Sequence, residues 1–126
     1  MNIAQFDGTI AYFVISRLAG GEILENYVKH TDLLQPLLEY SLSYIENFES
    51  YKNDIVSINA NISDPSLKID NLRAIEFIYS NMKVFLSEIK ESDIFVVAFF
   101  NSGYPDGIIK IILNDYINHV RQNYSL

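Results

Sequence analysis

Two histidines, His30 and His119, are the first candidates for acid–base or metal chemistry in this chain. Zinc sites need several ligands together, such as two histidines four apart on one helix face. Neither histidine has a second histidine at such a spacing. His30 stands just before a helical pattern. His119 falls in the last turns of another, where an imidazole complements the helix dipole without doing chemistry. The carboxylates are scattered: Glu22 and Glu25, Glu39, Glu46 and Glu49, then Glu88, Glu91 and Asp93. They read as water-facing surfaces and turns, whereas a carboxylate pair for acid–base work must converge in a cleft. Gly20-Gly21 leads into a strand pattern and no Gly-Lys-Ser/Thr follows, so it is no phosphate loop. There is no Gly-x-Ser-x-Gly elbow. With no cysteine, disulfides and thiolate-bound metals are excluded. The expectation is a chain without catalytic, metal or cofactor-binding residues: not an enzyme.

What the residues offer instead is apolar mass, and the elements must be read from it. Residues 10–15 (Ile-Ala-Tyr-Phe-Val-Ile) and 94–100 (Ile-Phe-Val-Val-Ala-Phe-Phe) are strand-length and almost wholly apolar. A strand with one wet face alternates; a strand covered on both faces does not. These two runs therefore predict central strands of one sheet with a helix on each face. The chain has 126 residues, of which 49% are hydrophobic, enough for the core of one domain spanning 1–126. Net charge is −7 and the sequence pI about 4.6. That balance repels phosphate backbones, so nucleic acid is an improbable partner. Neither run approaches the ~20 residues of a membrane span. The first residues lack the basic and apolar regions of a signal peptide. A cytoplasmic location is expected, and the Asn-x-Ser matches at Asn61 and Asn123 read as chance.

Along the chain, 10–16 is a strand, 18–21 a turn with paired glycines, and 22–28 a charged second strand suited to an edge. A helix follows over roughly 32–51, with Asp32 and Gln35 at capping-box spacing and Pro36 near its start. Its apolar arc covers roughly 200°, wider than one core-facing stripe needs. Leu34, Leu38, Leu42 and Ile45 lie towards one side; Tyr40, Tyr44 and Tyr51 lie towards the other. Either the helix is deeply packed with its hydroxyls at the water line, or the tyrosine flank faces a partner. Residues 54–62 fit both helical spacing and alternation, and periodicity does not decide between them. Residues 72–80, 83–89 and 93–100 read as three strands in a meander, with a turn at Asn81-Met82. Asp106 is placed to cap a last helix through Asn123. The expected fold is α+β in the order β-β-α-β-β-β-α. Its five-stranded antiparallel sheet has the order 2-1-5-4-3, with one helix on each face. The strand over 72–80 becomes an edge carrying Phe77 and Tyr79 and little to guard it. Those aromatics serve either the sheet core or pairing with a second subunit.

This order and the segment 10–27, with Gly21-x-x-Leu24-x-x-Tyr27 in its second strand, resemble the opening hairpin of longin and roadblock-like domains. The segment 75–101 resembles their three-strand meander, and 106–123 their closing helix. Roadblock-like members carry an extra N-terminal helix, for which the residues before the first strand are too few, so the longin-like version fits better. The resemblance implies a non-enzymatic interaction platform. Such domains form homo- or heterodimers and bind or regulate small Ras-like GTPases, or serve vesicle trafficking complexes. No functional residue transfers with it. The interface residues expected from the pattern are Tyr40, Tyr44, Tyr51, Phe77 and Tyr79. Competing readings are a PAS- or GAF-like small-ligand sensor and an acidic dimeric secretion chaperone. Sensors of the first kind place several short helices where this chain has one long one. Chaperones of the second kind start with a helix and distribute their strands the other way round.

Overall fold

A computed structural model describes residues 2–18 and 20–126; Met1, and Ala19 of the expected first turn, lie outside it. The elements run β1 (Thr9–Ser16), β2 (Glu22–Val28), α1 (Leu34–Asn59), β3 (Ala74–Ile78), β4 (Met82–Glu88), β5 (Ile94–Asn101) and α2 (Asp106–Asn123). All neighbouring strands pair antiparallel in the order β2-β1-β5-β4-β3. The two apolar runs are adjacent at the centre, with Phe13 opposite Val97.

Successive side chains of a strand point to opposite faces, and this alternation builds two cores. Ala11, Phe13 and Ile15 of β1, Val84 and Leu86 of β4, and Phe95, Val97 and Phe99 of β5 pack on one face. Leu37, Tyr44, Ile45 and Phe48 of α1 cover them. Val14, Phe85, Val96, Ala98 and Phe100 point the other way, under Ile109, Ile112, Leu113, Tyr116 and Val120 of α2. Every residue of β5 except the last is buried. Each buried Phe, Ile or Val stabilises by about 1.5–3 kcal/mol relative to exposure. Both central strands are therefore committed to the core.

Several boundaries differ from the sequence reading. α1 continues to Asn59, so most of 54–62 is helix. In its last turns Val56 and Ile58 are exposed, while Ile55 and Asn59, with Ile62 just beyond, are half-buried at helical spacing. The capping box is not formed. A 3-10 turn, Thr31–Leu33, precedes α1, no side chain caps the helix, and Gln35 donates to Glu39 instead. β3 is shorter than 72–80, and its turn to β4 is closed by Tyr79 N–H donating to the Met82 carbonyl at 2.9 Å, which leaves Met82 in the strand. Asp106 does not cap α2, which no side chain caps. Its carboxylate pairs with Lys83 of β4 instead.

The connections are held by specific contacts. Gly20 and Gly21 take φ of 74° and 95°, the left-handed region that spares glycine a Cβ clash. Asn59 clips the segment after α1: its amide donates to the Ile69 carbonyl at 2.8 Å and its oxygen accepts the Ile69 N–H at 2.9 Å. In β2 the register shifts between Val14 and Ile15, since Glu25 faces Val14 but Ile23 faces Ile15. Leu24 is the extra residue of this bulge. It packs with the α2-side core, next to Glu25.

Candidate functional site: the tyrosine flank and the free edge

The flank of α1 meets the β3 edge through an aromatic ladder. Tyr44 stacks on Phe77 with ring centres 4.4 Å apart and on Tyr40 at 6.3 Å. Its hydroxyl shares a 2.8 Å hydrogen bond with that of Tyr79. Four of the five expected interface residues are thus contiguous, although helix and strand are far apart in sequence. Tyr51 stands two turns further along α1 and is 50% exposed.

The five do not share one environment. Tyr40 and Tyr79 are exposed, Phe77 is half-buried, and Tyr44 is only 8% exposed. Tyr44 therefore belongs with Ile45 and Phe48 on the covered side of α1, not on an outward flank. On a helix, Tyr44 lies between the rows of Leu37 and Tyr40, so a 200° apolar arc did not place it. Burial, followed by the hydrogen bond with Tyr79, pushes its hydroxyl well above the ordinary tyrosine range.

β3 pairs with β4 on one side, and among the described residues no strand pairs with its other side. Ile78 is 70% exposed at this edge. Glu76 turns to the α2 side, where one carboxylate oxygen lies 4.0 Å from Lys110 Nζ and the other is buried without a partner among the described residues. An open edge beside exposed aromatics is a surface able to pair with another chain.

The histidines stay apart from this surface. His30 is exposed before α1, and His119 Nε2 lies 3.0 Å from the Asn123 amide. Among the described residues no group of three or more His, Asp or Glu could hold a metal ion, and no helix is long and apolar enough to cross a membrane. Sequence reading did miss one polar cluster, on the α2 side near β2. A cavity of about 300 Å³ is lined by Asn2, Ile3, Tyr12, Glu25, Asp115, Tyr116 and His119. Tyr12, expected in the core, is half-buried there. Its position opposite Tyr27 inside an otherwise apolar strand is the signal that could have found it.

MglB of Myxococcus xanthus superposes with a TM-score of 0.71 over 93% of this chain and 84% of its own, at 5% sequence identity. A roadblock/LC7 domain from Streptomyces avermitilis superposes with a TM-score of 0.70 over 98% of this chain and 92% of its own, at 8% identity. The chain has a roadblock/longin-like fold. No family model matches the sequence, and no curated protein matches it either. At such identities the likeness carries the fold, with its sheet order and two helices, and no residue roles.

Proposed function

We propose that this chain is a non-enzymatic interaction module. It pairs with another chain along β3 and the exposed tyrosines of α1, and so presents a platform to a small Ras-like GTPase or a trafficking complex in the cytoplasm. The observation that carries the reading is the continuity of the unpaired β3 edge, through the Tyr79–Tyr44 hydrogen bond and the Phe77–Tyr44–Tyr40 stack, with the flank of α1. Strand addition at such an edge supplies backbone hydrogen bonds, and the aromatics supply buried area. The roadblock/longin-like fold supports it, since that resemblance implies dimers and GTPase partners.

The test uses exposed positions, because Tyr44→Asp would unfold the core. Light scattering on the wild type should give a mass above that of one chain. Tyr40→Asp combined with Ile78→Asp should return the mass of one chain while circular dichroism stays unchanged. A folded double variant that keeps the wild-type mass would sink this interface. Pull-down from the native organism, with nucleotide exchange and hydrolysis measured on any GTPase recovered, tests the partner class.

A further inference from the structure

The cavity between α2 and β2 lies on the opposite face of the sheet from α1, and its chemistry is of another kind. Tyr116 is 7% exposed and lines the cavity; its hydroxyl is buried and makes no hydrogen bond of good geometry among the described residues, with the Tyr12 hydroxyl facing it at longer range. A buried hydroxyl without a good hydrogen bond costs about 1–3 kcal/mol, and a polar group that came within reach of it would remove that cost. Two carboxylates stand on the same walls, Glu25 from the bulge of β2 and Asp115 from α2. Among the described residues, no lysine or arginine lies within ion-pair distance of either. The Tyr124 hydroxyl, a neutral partner, donates to Glu25 at 3.4 Å.

The remaining walls are aromatic. The Tyr12 ring packs 4.7 Å from Tyr116 and stacks on Tyr27 at 5.7 Å, and the His119 ring lies 6.0 Å from Tyr116. Aromatic faces attract cations through their quadrupole, and more strongly where water is excluded. Burial, then the charge of Glu25, pushes the Tyr12 and Tyr116 hydroxyls above the ordinary tyrosine range, further from ionising. The bulge matters as well. It places Glu25 beside Leu24 on the α2 side, and bulges commonly re-aim a side chain next to a site.

We propose that this cavity binds an alkylammonium group. The ammonium would donate hydrogen bonds to the Glu25 carboxylate and the Tyr116 hydroxyl oxygen, near Asp115, with its methylenes against Tyr12 and Ile3. An anion is disfavoured by both carboxylates. A neutral apolar ligand would leave Tyr116 unpartnered and strip water from Glu25 without compensation. The volume suits a single amine head with a short chain.

The ammonium can belong to a free amine or to a lysine of a partner chain, and the test separates them. The uniformly 15N-labelled full chain is titrated with n-butylammonium, with Nα-acetyl-lysine-N-methylamide, and with 1-pentanol as the neutral control. Both cations should give saturable amide shifts centred on Tyr12, Glu25 and Tyr116, and pentanol should not. Tighter binding of butylammonium assigns the site to free amines, and tighter binding of the lysine amide assigns it to a partner's lysine. Glu25→Gln should weaken binding by about tenfold, the effect of losing one charge-assisted hydrogen bond. Tyr116→Phe, which keeps the ring and the packing, should weaken it by severalfold. Shifts that never saturate, that map elsewhere, or that pentanol reproduces would overturn the assignment. So would undiminished binding by a folded Glu25→Gln chain.

Discussion

At the scale of single residues, Tyr44 joins the core to the surface. Its ring fills the space between α1 and β3, while its hydroxyl reaches the half-exposed Tyr79. Removing only the hydroxyl separates the two roles. Tyr44→Phe keeps the stack on Phe77 and should lower stability by about 1 kcal/mol, the usual net worth of one hydrogen bond. Urea denaturation reads this as a lower midpoint with an unchanged m value. Oligomeric mass should stay at the wild-type value, because the exposed Tyr40 and Ile78 remain. The sequence placed Tyr40, Tyr44, Tyr51, Phe77 and Tyr79 together as interface candidates. It did not show that Tyr44 is covered, since burial there depends on how α1 rolls against β3. The Tyr12–Glu25–Tyr116 cluster left one mark in the sequence, a tyrosine in an otherwise apolar strand, but three elements supply it and their meeting depends on the fold.

Among the elements, α1 and the β4–β5 turn are tied by one ion pair. Lys52 Nζ lies 3.0 Å from Glu88, whose side chain is 4% exposed, and the same ammonium sits 5.6 Å from the Phe48 ring centre. The second Glu88 oxygen accepts the Asp93 N–H at 3.3 Å. Asp93, Lys90 and Glu91 all have positive φ, a conformation that disfavours side chains and needs such anchoring. Glu88→Ala removes both bonds at once and should cost about 1–2 kcal/mol. That is less than a fully buried pair, because Lys52 can return to water. Thermal or urea unfolding measures the loss. Amide exchange across 89–93 should accelerate more than elsewhere as the turn loosens. Element existence and order were legible because the two central strands are unbroken apolar runs and turn residues bound most of the strands. Helix ends were not: exposed apolar residues at the end of α1 imitate alternation, and a 3-10 turn took the place of the expected capping box.

For the whole molecule, the buried tyrosines set how stability responds to alkali. Burial holds the hydroxyls of Tyr12, Tyr44 and Tyr116 above the ordinary value of 10.0. Above that pH the unfolded chain releases these protons while the folded one retains them. The unfolded state then binds fewer protons, so stability falls as pH rises. Their contribution is full below pH 10.0 and is lost progressively above it. Urea midpoints measured across this range should fall above pH 10.0, and less steeply in a Tyr44→Phe/Tyr116→Phe variant; equal slopes would show that these hydroxyls do not drive the loss. The five-strand order was legible as a whole because two doubly covered strands can satisfy both faces only side by side. That same central pairing, Ser16 beside Ile94, has a consequence during synthesis. β1 leaves the ribosome long before β5, and at about 5–20 residues per second the wait lasts on the order of several seconds. Throughout it the β1–β2 hairpin carries apolar side chains on both faces, and the β1 edge that β5 will cover stays bare. The nascent chain is thus most in need of a holding chaperone before its fifth strand emerges, and any pause in translation within α1 lengthens that exposure.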